Sequence, residues 1–163
     1  SDWNYASRSS NSLKFSTTQS GLTLDTIGIV DGSSSNTNAF DEFEVTISTK
    51  LLGSDVSVGY ADDVNSDISY WGIAGSTDLG PLNMSSSYTI YDAATDKYGL
   101  EVTASYSIFS VGYGDKEGTG LAYTAGVAHD LNDSLSVYAE GEMKDLDSGS
   151  DTTSWSIGSK FTF

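Results

Sequence analysis

His129 followed by Asp130 is the pairing from which a general base could be built, with a carboxylate orienting an imidazole to accept a proton. It is the chain's single histidine, and its period puts it on the apolar side of its segment, beside a tight turn. There an amphipathic ring reads as an interfacial group rather than a base. "DLDSGSD" spaces Asp145, Asp147 and Asp151 somewhat like a calcium loop, yet lacks the full ligand series and the closing Glu. It reads as a solvated acidic loop. The Gly-rich "GYGDKEGTG" has neither a Lys-Ser/Thr ending nor a following helix, so it is no phosphate loop. Without a second histidine, a nucleophile motif or a metal-ligand cluster, the sequence gives no sign of catalysis, and no cofactor or metal is expected.

The remaining charges do something different, which depends on the elements that carry them. In "LEVTASY", Leu100, Val102, Ala104 and Tyr106 fall on one side and Glu101, Thr103 and Ser105 on the other. The alternation returns in "DVSVGY", in "FEVTISTKL", in "LSVYAEGEM", and in "TTSWSIGSKFTF" with Trp155, Ile157, Phe161 and Phe163. Period two is the mark of a strand with one apolar and one polar face. "ISYWGIAGS" has apolar residues in both phases, and "LTLDTIGIV" changes phase midway. On the side opposite the apolar residues the phase collects Arg8, Lys14, Asp25, Glu42, Glu44, Lys50, Lys97, Glu101, Glu140, Glu142, Lys144 and Lys160. Isolated charges in hydrocarbon are costly, so this consistent placement predicts a wet interior that they line.

Composition agrees. The 163 residues suit a single domain, 1–163. With 23 acidic against 7 basic side chains, a net charge of -16 excludes nucleic acid as an obvious partner, because phosphate binding needs clustered Lys and Arg. One Pro, 17 Gly and many Ser and Thr favour strands and turns. The absence of cysteine removes any disulfide framework and fits export through an oxidising compartment. No apolar run approaches the roughly 18 residues of a spanning helix, but a membrane strand needs far fewer. A chain with no basic, apolar leader is expected to be mature or trimmed at Ser1.

About eleven strands are expected, separated by two kinds of break. "TQSG", "LGSD", "DLGP", "YSIF" and "DLND" are tight. "DGSSSNTN", "DDVNSD", "DAATDK", "GDKEGTG" and "DLDSGSD" are longer and acidic. Strict alternation of short turns and longer loops predicts an all-β fold, an up-and-down antiparallel transmembrane β-barrel. Aromatic residues fall near both strand ends, as interfacial girdles require. Trp3, Tyr5, Phe43, Tyr60, Tyr70, Tyr88, Tyr98, Tyr113, Tyr123 and Trp155 lie near the longer loops. Phe15, Tyr106, Phe109, Phe161 and Phe163 lie near the short turns.

"SDWNYASRSSNSLKFSTTQSGL" resembles the second-strand hairpin of the bacterial outer-membrane general porins, especially those of purple bacteria. "AYTAGVAHDLNDSLSVYAEGEMKD" followed by "SWSIGSKFTF" resembles their closing strands. The resemblance implies that Phe161 and Phe163 form the signal read by the barrel assembly machinery, and that the localisation is the bacterial outer membrane. It also brings homotrimeric assembly as an expectation. The chain departs from the family in two ways. General porins are usually longer, with sixteen strands and a third loop folded inward, and no loop here is long enough for that constriction. Eleven strands ending at the periplasmic rim would also put Ser1 outside the cell, whereas bacterial barrels have an even count. The expectation is therefore about twelve strands, with the first missing from this chain.

Three functions follow from such a chain. The first is a porin, a passive water-filled channel for small hydrophilic solutes. Its rim acids Asp31, Asp41, Asp62, Asp63, Asp67, Asp92, Asp96, Asp115, Glu117, Asp145, Asp147 and Asp151 would give a weak cation preference within a Debye length of about 8 Å. The second is a non-conducting structural or surface-interaction barrel, its acidic loops bridged to lipopolysaccharide or a partner by divalent cations. The third is a soluble acidic extracellular β domain whose apolar faces pack on each other. Outer-membrane lipid surrounds the chain in the first two only.

Overall fold

The computed structural model describes residues 12–30, 42–63, 68–92 and 97–162. Trp3, Tyr5, Arg8, Asp31, Asp41, Asp67, Asp96 and Phe163 lie outside the described residues. Eleven strands, and no helix, occur among the described residues. They are β1 (Ser12–Gln19), β2 (Leu22–Ile29), β3 (Glu42–Leu51), β4 (Ser54–Asp63), β5 (Ile68–Leu79) and β6 (Leu82–Asp92). They continue as β7 (Lys97–Tyr106), β8 (Phe109–Lys116), β9 (Gly120–Asn132), β10 (Leu135–Leu146) and β11 (Thr152–Phe161). Spatial order equals chain order from β1 to β11, the up-and-down arrangement that short connections between antiparallel neighbours produce.

Every tight break in the sequence is a two-residue loop, at 20–21, 52–53, 80–81, 107–108 and 133–134. Four of them carry a left-handed residue, which matches the turn's twist to that of the strands, whereas 133–134 has none and adjoins a register shift between Leu135 and Ser136. Gly21, Gly53 and Gly80 supply positive φ without strain, while Ser20, Leu52 and Ser107 take φ values of 55, 52 and 56° with a Cβ present. A two-residue loop also pairs residue i with i+5, and the polar residues at that spacing bond across the hairpin. Thr18 meets Thr23 at 2.9 Å, Lys50 meets Asp55 at 2.8 Å, and the Asn83 amide donates to Asp78. These contacts pin register where the chain reverses, since a one-residue slip would move each partner to the wrong face.

Of the longer breaks, "DGSSSNTN" and most of "DDVNSD" and "DAATDK" lie outside the described residues; 147–151 separates β10 from β11 as expected, but "GDKEGTG" is mostly strand. Only 117–119 separates β8 from β9, closed by the Thr119 N–H donating to the Lys116 carbonyl at 2.9 Å, with Gly118 at φ 73°. The left-handed glycine permits a three-residue hairpin where a longer loop was expected.

The described residues divide into two compact units, one within Ser1–Gly75 and Ser87–Tyr98, the other within Ser76–Ser86 and Gly99–Phe163. In the first, the rows Phe15–Thr26–Val45–Tyr60 and Thr17–Leu24–Ile47–Val58 run across β1 to β4 on one face. In the second, Val111–Ala125–Gly141–Trp155 and Phe109–Val127–Ala139–Ile157 do the same across β8 to β11. These apolar faces are uncovered. Among the described residues Ile29, 6% exposed, is the one buried hydrophobic side chain, whereas Leu13, Trp155 and Ile157 are 69%, 76% and 73% exposed. A sandwich would bury such faces against a second sheet. The described strands form one sheet instead, which overturns the reading in which they pack on each other.

β2 and β5 are the strands whose phase the sequence leaves mixed. Leu22 and Leu24 stand on the apolar face of β2, while Ile27 and Ile29 share the polar face with Asp25. On β5, Trp71 and Ile73 are exposed on one side, and Tyr70 and Gly72 alternate to the other. Tyr70 meets Tyr91 edge-on at 5.1 Å there, so it leaves the girdle it was expected to join. Trp71 takes the girdle position.

Candidate pore-lining face

Register decides which side chains share a face, because successive residues point to opposite sides of a strand. In the first unit Lys14, Ile27, Glu44 and Ala61 form one row, Ser16, Asp25, Thr46 and Gly59 the next, and Ser12, Ile29, Glu42 and Asp63 a third. Lys50 stands opposite Asp55 on the same face. Five described candidates of this unit, Lys14, Asp25, Glu42, Glu44 and Lys50, thus share the face opposite Phe43, Val45 and Ile47. The Thr46 hydroxyl donates to the Glu44 carboxylate at 3.3 Å.

In the second unit the rows are Glu101–Gly114–Ala122–Lys144–Thr152, Thr103–Gly112–Thr124–Glu142–Ser154 and Ser105–Ser110–Gly126–Glu140–Ser156. Lys160 stands opposite Ser136 on this face. Lys97, at the start of β7 and within the first unit, has the strand parity of Glu101. The Lys144 ammonium lies 2.9 Å from Glu142, and the Ser156 hydroxyl donates to Glu140 at 3.0 Å. Ser85 and Thr103 share a 2.6 Å hydrogen bond between neighbouring strands. A recess of about 420 Å³ is edged by Ser110, Thr124, Glu140, Glu142, Ser154 and Ser156, with the Ser110 hydroxyl close over Gly126. Carboxylates and hydroxyls with water access can attract cations and hydrogen-bond passing solutes. His129 and Asp130, adjacent in sequence, face opposite sides: His129 lies in the row of Val137, Asp130 in that of Ser136. Asp145 likewise sits on the apolar side of β10 opposite Leu121, while the Asp151 carboxylate accepts the Leu146 N–H at 3.3 Å.

Sequence periodicity missed part of this face. Asp55, Asp63, Asp78, Lys116 and Asp130 share it, as do the Tyr70 and Tyr91 rings and Tyr138. Turn position was the available signal. Once 52–53 is fixed as a two-residue loop, Asp55 must face Lys50.

The opposite face carries an aromatic belt. The Tyr60 and Trp71 rings meet tilted at 4.6 Å, Tyr88 and Tyr98 stack at 6.1 Å, and Tyr113 and Tyr123 meet tilted at 5.6 Å, each pair joining neighbouring strands. Phe43 and Trp155 stand on this face at the corresponding ends of β3 and β11. Carboxylates follow two residues outward on the same face, at Asp62 beyond Tyr60 and Asp115 beyond Tyr113. Nearer the two-residue turns, Phe15, Tyr106, Phe109 and Phe161 are 56%, 55%, 60% and 59% exposed.

No protein-family model matches the chain, and no curated protein matches it. Among solved structures, a porin refined at 1.8 Å resolution superposes with a TM-score of 0.66 at 19% sequence identity, over 93% of this chain and 61% of the porin. The fold is therefore the all-β, up-and-down antiparallel fold of a bacterial porin. The chain spans about three fifths of that porin's length.

Proposed function

We propose that the protein is an outer-membrane porin, a passive water-filled channel for small hydrophilic solutes with a weak cation preference. One observation carries this reading: cross-strand register gathers the eleven described charged candidates, from Lys14 to Lys160, onto polar faces, while the opposite faces remain greasy and uncovered. Exposed apolar surface on this scale marks contact with a membrane or a partner. An aromatic belt bounded by carboxylates is the pattern of a lipid-facing wall. The reading assigns the chain no catalytic step. It makes outer-membrane lipid and lipopolysaccharide the surroundings, and Phe161 a contact for the barrel assembly machinery.

The ion pairs Lys50–Asp55 and Lys144–Glu142 are local, one within a hairpin and one along a strand. The test is planar-bilayer recording in a salt gradient. Discrete conductance steps with a reversal potential of cation-selective sign support the reading. A stably inserted protein that passes no current leaves the structural barrel in its place, and anion preference removes the selectivity claim.

A further inference from the structure

Leu52 combines two locally unfavourable features. It occupies the left-handed region at φ 52°, where a Cβ is strained and Asn or Gly is the usual choice, and its side chain is 100% exposed. A turn selected only to reverse the chain in water would have neither. The neighbouring Leu51 is 60% exposed, and the apolar side of β3 rises from it through Ile47, 44% exposed, to Phe43 at 38%. The greasy column thus continues beyond the last paired residue onto the apex of the turn. In the other unit the β7–β8 turn is built alike, with Ser107 at φ 56° and Ile108 held between Tyr106 and Phe109.

Strand length shows what would cover these residues. From Tyr60 in the aromatic belt to Ser54 beside the turn is six steps of β4. At about 3.3 Å per residue and a tilt of about 40°, those steps give roughly 15 Å of height, and the eight from Phe43 to Leu51 give roughly 20 Å. The apolar band of an outer-membrane barrel is about 25 Å tall. A bilayer whose upper boundary lies at the aromatic belt therefore reaches past the β3–β4 turn.

Resting on the membrane reading above, we infer that the β3–β4 turn is a lipid anchor: Leu52 inserts into the headgroup–acyl boundary of the bilayer instead of projecting into water. The occupant is lipid because the column running into the turn is aliphatic and aromatic apart from Thr49, whose hydroxyl donates to the Gly21 carbonyl at 3.0 Å, and because the Lys50–Asp55 pair stands on the opposite face. That arrangement keeps one side of the hairpin wet and the other dry.

The native chain contains no cysteine, so single labelling sites can be placed at will. Leu52→Cys, Ile157→Cys and Asp147→Cys would each carry an environment-sensitive fluorophore in phosphatidylcholine vesicles, with nitroxide-labelled lipid as one quencher and iodide on both sides of the membrane as the other. The inference expects the probe at 52 to emit to the blue of that at 147 and to be quenched by nitroxide lipid at least half as strongly as that at 157. It is overturned if position 52 behaves like 147 while 157 is lipid-quenched. Should 157 also respond only to iodide, the membrane reading falls with it. A second variant checks the sign without a label. Leu52→Asn relieves the backbone strain, so a turn in water gains stability, whereas an anchored turn loses several-fold in folded fraction in vesicles.

Discussion

Ile157 offers the sharpest test of the two-faced sheet. It is the sixth of ten residues in β11, lies on the apolar face opposite Ala139, and is 73% exposed. If that face meets hydrocarbon, Ile157→Arg places a guanidinium near mid-membrane at a cost of about 2–4 kcal/mol. At about 1.4 kcal/mol per factor of ten, the folded-to-unfolded ratio falls roughly 30- to 800-fold. If the face meets water, the same change at an exposed site stays within about 0.5 kcal/mol. Ser154, three residues earlier, is the internal control, since it stands on the polar face opposite Glu142. Ser154→Arg there gains an opposite charge worth about 0.2–1 kcal/mol as a cross-strand pair. Reversible urea titration in phosphatidylcholine vesicles, followed by tryptophan fluorescence, should move the midpoint far down for Ile157→Arg and leave it unchanged or slightly higher for Ser154→Arg. Equal shifts for the two variants, or an Ile157→Arg midpoint matching the parent, would refute the assignment of faces.

Three further outcomes are expected. Glu140→Gln combined with Glu142→Gln should move the reversal potential in a salt gradient toward zero, while Lys144→Ala, which leaves Glu142 without its 2.9 Å partner, should move it the other way. No change in either variant would show that these groups do not face the ion path. An added methyl group on Gly158 would lie 2.5 Å from the Tyr138 ring, which packs across β10 and β11 onto the glycine. Gly158→Ala should therefore cost about 1–3 kcal/mol by overpacking, most of it recovered when Tyr138→Ala is added, as denaturation of the two single variants and the double would reveal. A double-mutant cycle on Tyr60 and Trp71, whose rings are 4.6 Å apart, should return a coupling of about 0.5–1.5 kcal/mol; a coupling near zero would remove this pair from the belt's stabilising contacts.

Much of the fold is legible locally because a strand's side-chain period is two and a tight turn needs particular residues. Leu100, Val102, Ala104 and Tyr106 announce one face of β7 without knowledge of any neighbour. Glycine and serine at 20–21 and 52–53 mark the reversals, although the leucine at 52 does not advertise itself as a turn residue. Segments with apolar residues in both phases are where local reading fails. Tyr70 and Trp71 are adjacent aromatics, and nothing within "ISYWGIAGS" says which belongs to the belt. Trp71 belongs because Tyr60 on β4 receives it, and Tyr70 points away because Tyr91 on β6 receives it. The acids were harder to place than the apolar residues. Asp62 and Asp63 read alike as rim charges, yet they stand on opposite faces, Asp62 beside Phe43 and Asp63 beside Glu42.

What the sequence determined by itself is therefore the set of strands, the sidedness of most of them, and the acidic character of the chain, since each depends only on residue type and short-range spacing. Register between strands was decided by the tertiary structure: that Gly126 stands between Ser110 and Glu140, that Ser156 donates to Glu140, and that Ser85 meets Thr103 on the neighbouring strand. The physical reason is that a two-residue loop fixes its own hairpin, whereas pairing between hairpins is set by hydrogen bonds linking residues far apart in the chain, which no local pattern encodes.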